Sequence, residues 1–204
     1  MRLPSPTVLR VLVVRHGQSE WNAVGRWQGQ ADPPLTELGL HQAAHAAQHV
    51  GAVDAVVASD LERSRTTAAI IAELIGIGPV LVDDGFRERD AGEWQGLTKA
   101  EIAEGWPGYL DDRLRPPGFE PDDGFRGRIF AALDRVRDAV PAGDVLVVAH
   151  AGVVYQVEAV LGVDFEPLPN LGGRWVESDD GGPWRLGDRV VLVDPDEFTV
   201  PGVE

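Results

Sequence analysis

The chain has no cysteine among its 204 residues, so neither a disulfide nor a thiolate metal site can form. That absence fits a reducing compartment, and the expected location is the cytoplasm. No apolar stretch approaches the ~20 residues of a membrane span. Met1 to Arg10 lack the apolar centre of a signal peptide, so no membrane is expected as a partner. Positive charge is scarce, with 18 Lys and Arg against 33 Asp and Glu and a net charge of −15. Such a chain is a poor binder of nucleic-acid backbone. The same scarcity makes any local gathering of arginines informative, because an anionic ligand needs a positive pocket inside a negative field. No internal repeat, low-complexity tract or interdomain linker is visible, and one domain is expected across residues 1–204.

Apolar residues make up 44%, ordinary for a globular protein, and their pattern alternates strand with helix. The runs at 8–15, 55–59, 80–83 and 145–150 are short, apolar and rich in β-branched residues, as buried strands are. Helical spacing follows each of them. Thr36 reads as the N-cap of a helix over 37–50, with Leu38, Gln42, Ala43, Ala46 and Val50 inside. A helix from Asp60 to Leu74 ends at Gly76. Thr98 caps a helix over 99–104, Phe125, Ile129, Leu133, Val136 and Val140 mark one over 123–139, and another runs from 151 to Leu161. Segments 174–177 and 189–193 read as strands around an Asp179–Gly182 turn. Residues 23–35 and 105–121 are irregular, rich in glycine or proline. The expected fold is therefore α/β, a three-layer α/β/α sandwich with a mostly parallel central sheet.

Four strand ends carry unusual groups. The first apolar run stops at Arg15-His16, the second leads to Arg63, the third to Arg87, Glu88 and Arg89, and the fourth to His150. In a parallel sheet all four lie on the edge where ligands bind. Alone, each has a plainer reading: a hydrogen-bonded structural histidine, a surface arginine, one member of an ion-pair cluster. Their coincidence at successive strand ends favours phosphoryl transfer. Arginine forks match the oxygens of a phosphate dianion. Helix N-termini after Ser59 and His150 add N–H donors. A neutral imidazole is a competent nucleophile toward phosphorus, and a carboxyl such as Glu88 can supply the leaving group's proton. His41, His45 and His49 share one side of a helix at i, i+4, i+8. No carboxylate or third-ligand pattern accompanies them, so they read as a solvated face, and no metal site is expected.

The segment from Leu12 to Asn22, with Arg15-His16-Gly17 at its centre, resembles the signature of the histidine phosphatase superfamily, also called phosphoglycerate mutase-like. Pro34 to Ala43, Ser59 to Ala68, Arg87 to Gly96 and Val147 to Gly152 resemble that family's further motifs in the same order. The likeness covers about residues 9–162. It implies His16 as the nucleophile that becomes phosphohistidine, and Arg15, Arg63 and His150 as the phosphate pocket. Glu88 would be the proton donor and then the base for water. Asn22 and Gln28 match positions that reach the phosphate or substrate. Ala151 stands at a substrate-side position where many members have glycine, Ser64 replaces a common alanine, and Gly118-Phe119-Glu120-Pro121 stands in place of Gly-Gly-Glu-Ser. No cofactor is implied.

The family holds both mutases and phosphatases. Mutases carry extra basic residues after the acid motif, whereas Thr98 to Glu104 here has one lysine and two acids. The expectation is a phosphatase acting on a small phosphorylated metabolite, with a homodimer left open. Trp21, Trp27, Trp94 and Trp106 are candidates for the cavity entrance, against the commoner role of core packing. Phosphoglycerate mutase activity and a non-catalytic phospho-ligand binding module are the alternatives.

Overall fold

The first strand, β1 (Val8–Arg15), lies between two partners. It pairs in parallel with β4 (Gly143–Ala149) and antiparallel with β5 (Gly172–Asp179). The computed structural model describes residues 8–194. Outward from β4 come β2 (Ala55–Ala58) and β3 (Leu81–Val82), and outward from β5 comes β6 (Arg185–Val191), giving the order β3-β2-β4-β1-β5-β6. The β3–β2, β2–β4 and β4–β1 pairings are parallel, and β5 runs against both of its neighbours.

The continuous apolar run of β1 is explained by cover on both faces. Leu9, Val11 and Val13 pack into one cluster with Phe125, Ile129 and Leu133 of α5 (Asp122–Ala139) and Val153, Val154 and Val157 of α6 (Ala151–Val160). Leu12 and Val14 face the other way. They join Ala46 of α2 (Glu37–Ala46) and Ala68, Ile71 and Ala72 of α3 (Glu62–Ile75). Each fully buried Val, Leu, Ile or Phe side chain among them contributes about 1.5–3 kcal/mol. The two clusters, one on each face of the sheet, are the interior of the expected three-layer sandwich. A smaller cluster around Trp94 and Ile102 packs the 91–119 segment, including α4 (Lys99–Gly105), to which Trp106 and Tyr109 also add.

Several boundaries differ from the sequence reading. α1 is a single turn, Glu20–Ala23, capped by Ser19, whose side chain accepts from the Asn22 N–H. α2 is capped by Thr36 as expected but stops at Ala46, four residues early. Leu38 is only half-buried, and Gly39 takes the inner position. The reason is backbone contact: a Cβ on Gly17 would stand 2.6 Å from the Gly39 carbonyl oxygen, so only glycine lets these segments meet. The third strand shrinks to Leu81 and Val82, exposed at the sheet edge. β4 ends at Ala149, and His150 occupies the N-cap position of α6. Among the described residues no helix is long and apolar enough to cross a membrane.

Candidate active site

The hydrogen bonds of His16 fix its proton. Nδ1 lies 2.6 Å from the Gly17 carbonyl oxygen, which can only accept. Nε2 lies 3.2 Å from Nε of Arg63, which can only donate. The ring therefore carries its hydrogen on Nδ1 and a lone pair on Nε2. It is 3% exposed. Burial, then the charges of Arg63 and Arg15, hold its pKa well below 6.5, so the lone pair persists at neutral pH. The backbone is anchored as well: His16 N donates to Ala149 O at 3.0 Å, and Asn170 Nδ2 donates to His16 O at 2.9 Å.

Arg63 enters from the first turn of α3 and is fully buried. Its NH1 and NH2 donate to the Ala31 and Gly29 carbonyls at 2.6 and 2.9 Å, leaving Nε for His16. Burial lowers its pKa to about 10, so it remains a cation at neutral pH. Arg15, on the last residue of β1, gives NH1 to Leu168 O at 2.8 Å. His150 is fully buried, its ring edge-on to His16 with centroids 5.2 Å apart. Glu88 lies on the loop after β3. Its two carboxylate oxygens accept from Arg89 N at 2.8 Å and Gly152 N at 3.1 Å.

These groups surround a cavity of about 620 Å³ that Arg15, His16, Asn22, Gln28, Arg63, Glu88 and Ala151 all line. Its wall carries five cations, Arg15, Arg26, Arg63, Arg89 and Lys99, against the single carboxylate of Glu88. The amides of Asn22 and Gln28 point their donors outward by elimination. Asn22 Oδ1 accepts from Ser19 N at 3.3 Å and Gln28 Oε1 from Ser19 Oγ at 2.8 Å, so both NH₂ groups remain for a ligand. His150, expected as part of the phosphate pocket, is fully buried edge-on to His16 and is not among the residues that line this cavity.

Two expectations need correction. Arg87 does not join the crevice; it forms a bidentate pair with Asp60, with Nε to Oδ1 at 2.8 Å, and only Arg89 reaches the cavity. Of the four tryptophans, Trp27 alone lines the cavity, while Trp94 is fully buried and Trp106 packs beside it. His41 and His49 are exposed as read. Among the described residues no three His, Cys, Asp or Glu side chains gather closely enough to hold a metal ion.

The sequence reading missed the residues that hold the acid loop. Arg128 of α5 takes Glu120 with Nε and NH2, both at 2.7 Å, and donates to the carbonyls of Gly85, Arg87 and Glu88 at 3.0, 2.6 and 2.9 Å. Asp32 was also unremarked. Its carboxylate accepts from Glu62 N at 2.7 and 2.9 Å, capping α3, whose own N-cap Leu61 has no side-chain acceptor. Nothing local in the sequence marks either residue.

The profile of the histidine phosphatase superfamily, branch 1, matches residues 11–177. The chain is 34% identical over 205 residues to a glucosyl-3-phosphoglycerate phosphatase of Mycolicibacterium vanbaalenii, covering 89% of this chain and 91% of that one. It is 36% identical over 157 residues to a metal-independent phosphoserine phosphatase of Arabidopsis thaliana, covering 72% and 66%. With a "probable phosphoglycerate mutase" of Photorhabdus laumondii it shares 38% over 206 residues, covering 85% and 93%. Among solved structures, a mycobacterial glucosyl-3-phosphoglycerate phosphatase complexed with VO₃ superposes with a TM-score of 0.76 at 31% identity, covering 87% and 96%. The chain belongs to the histidine phosphatase superfamily, branch 1, and is a phosphatase of that family.

Proposed function

We propose that this chain is a single catalytic domain that hydrolyses a small phosphomonoester in two steps. His16 Nε2 attacks phosphorus while the ester P–O bond breaks, and the Glu88 carboxyl gives its proton to the departing oxygen. The alcohol leaves and phosphohistidine remains. The Glu88 carboxylate then takes a proton from water as that water attacks phosphorus. The P–N bond breaks, releasing inorganic phosphate and neutral His16. Arg15, Asn22 and Gln28 give hydrogen bonds to the equatorial oxygens, Arg63 adds its charge beside His16 Nε2, and His150 completes the pocket from the side of His16; the backbone at Ala151 borders the same space. The observation that carries this reading is the placement of the His16 proton on Nδ1 by Gly17, which leaves the Nε2 lone pair beside a buried arginine in a cation-lined cavity.

The charge of that wall also bears on the substrate. Of the five cations, Arg26 and Arg89 are paired with Glu101 and Asp122, whereas Lys99, the chain's only lysine, has no ion-pair partner among the described residues. A substrate with a second anionic group, such as a phosphoglycerate ester, fits it best. The relative named for glucosyl-3-phosphoglycerate points the same way, since a phosphoglycerate carries a carboxylate beside its phosphate ester. The alternative, mutase activity, would call for more basic residues after the acid motif than this one lysine. Interconversion of 2- and 3-phosphoglycerate, primed by bisphosphoglycerate, at a rate above phosphate release would establish that alternative. Phosphorylated metabolites are held inside cells, so a cytoplasmic setting is part of the same proposal.

Rapid-quench labelling tests the mechanism. The wild-type protein should form an acid-labile phosphoenzyme and the His16→Ala variant should form none, with turnover unaffected by EDTA. Full activity in His16→Ala would refute the nucleophile, and loss of turnover in EDTA would refute metal independence.

A further inference from the structure

The two histidines of the site are not equivalent. Both nitrogens of His16 have assigned partners, whereas His150 has one nitrogen satisfied and one not. Its Nε2 is 3.0 Å from Ser59 Oγ and 3.3 Å from Ser64 Oγ. Its Nδ1 is buried and has no hydrogen-bond partner. Burial, followed by the charges of Arg63, His16, Arg128 and Arg15, keeps the ring unprotonated. It therefore carries one hydrogen, and the nitrogen that holds it decides whether His150 can donate to a ligand or only accept.

The serine hydroxyls decide between the two. Each has one hydrogen and two lone pairs. Ser64 Oγ donates to the Ala149 carbonyl at 3.2 Å. Ser59 Oγ accepts from Leu61 N at 3.3 Å, and its own hydrogen has His150 Nε2 as its acceptor. Were Nε2 protonated instead, a buried hydroxyl hydrogen would lack a partner, and that is costly. Nδ1 would then also be a bare lone pair, which repels a phosphoryl dianion. We propose that Ser59 donates to His150 Nε2, holds the ring hydrogen on Nδ1, and so makes His150 a neutral hydrogen-bond donor to the phosphoryl oxygens. Ser59 is thus a positioning residue, acting through His150.

The backbone supports this placement. Ser59 follows β2 directly, and its N–H continues the β2–β4 ladder by donating to Val148 O at 3.0 Å. Residues 59–64 therefore serve both histidines: the serines set the proton of His150, and Arg63 faces the lone pair of His16.

The inference takes its phosphoryl ligand from the proposed hydrolysis, but the proton placement can be read without turnover. The chain has five histidines, few enough for ¹⁵N-histidine NMR of the whole protein, with His150→Gln to assign the ring. Long-range ¹H–¹⁵N correlations should show His150 protonated on Nδ1, with that resonance shifting when inorganic phosphate is added. Ser59→Ala should move hydrogen toward Nε2, weaken inhibition by inorganic phosphate and lower kcat/KM by about 10- to 100-fold, on the scale of losing one oxyanion donor. Ser59→Thr keeps the hydroxyl and should restore both the Nδ1 tautomer and most of the activity. A wild-type ring protonated on Nε2 would overturn the proposal, and so would an Nδ1–H that ignores phosphate. A Ser59→Ala variant with unchanged tautomer and activity would do the same. If Ser59→Ala fails to fold, the wild-type tautomer and the threonine variant still decide. An Nδ1–H that responds to phosphate in a protein that hydrolyses no ester would leave the proton placement standing and remove the hydrolytic reading instead.

Discussion

Glycine at 152 is required by the acid rather than by its own backbone, and Gly152→Ala should separate the two jobs of Glu88. The residue is the second of α6, so its conformation is helical and alanine adds no backbone strain. A Cβ there would stand 2.9 Å from Cδ of Glu88 and nearer still to Oε1. The carboxyl group must then withdraw on the order of 1 Å, leaving its bond to Gly152 N. A displacement of that size at a reacting group costs roughly 100-fold, at the low end of the 10²–10⁴ expected from general acid catalysis.

The loss should depend on the leaving group. kcat/KM ends at the first irreversible step, transfer to His16. For an alkyl phosphate that step needs the proton from Glu88, and kcat/KM should fall about 100-fold. An aryl phosphate such as p-nitrophenyl phosphate leaves with little protonation, so its kcat/KM should change only a few-fold. Its kcat should still drop, because the displaced carboxylate also activates water poorly, and quenched samples should contain more phosphoenzyme than wild type. Equal losses in kcat/KM for both esters would refute the reasoning. So would an alkyl ester turned over at the wild-type rate.

Two predictions concern stability. His16 and His150 have pKa values lowered by burial, relative to about 6.5 in the unfolded chain. The unfolded state thus binds the extra protons, and the stabilising contribution present above pH 6.5 is lost as pH falls below it. Stability should therefore decrease from pH 7.5 to 5.5, measured by urea unfolding at the two pH values. A midpoint independent of pH over that range would contradict the burial of neutral rings. Asp32→Ala removes the acceptor of the Glu62 N–H, and the loss of a helix cap costs about 1 kcal/mol. Denaturant unfolding should show that decrease, accompanied by weaker phosphate inhibition, because Ala31 beside it receives Arg63; a variant with wild-type stability would show that Asp32 is not the cap.

Sequence pattern reached the reacting groups because of how a parallel sheet is built. Arg15 ends a strand, His16, Glu88 and His150 each follow one, and parallel strands end on one edge, so distance along the chain does not hide their meeting. The supporting residues obey no such rule. Arg87 and Arg89 flank Glu88 symmetrically in sequence, yet one pairs with Asp60 and the other reaches the cavity. That divergence is settled by tertiary partners that no local pattern contains. Arg128 is one arginine among four on α5 and looks like part of a solvated face; it is recognisable only once Glu120 and three loop carbonyls are seen around it. α2 was overestimated for a related reason. Val50 keeps the helical apolar spacing and is buried, but the chain reaches it through a turn.

The way Arg63 and Arg128 use their donors links the entrance loop to the chemistry. Arg63 gives its two terminal nitrogens to the carbonyls of Gly29 and Ala31, and only Nε to His16. Arg128 likewise spends donors on the carbonyls of Gly85, Arg87 and Glu88. Both guanidinium groups are held by backbone, which pre-organises them and costs no reorganisation when charge develops on the phosphoryl group. It follows that the backbone of residues 29–31 cannot shift without moving the cation beside the nucleophile. The side chains of Arg26 and Trp27 line the cavity but are tied to other parts of the chain than the phosphoryl site, Arg26 to Gly96 O and Glu101 and Trp27 edge-on to Trp94. Choice of the leaving alcohol is therefore free to change through side chains at 26–27, while the carbonyls at 29 and 31 keep the phosphoryl site as it is.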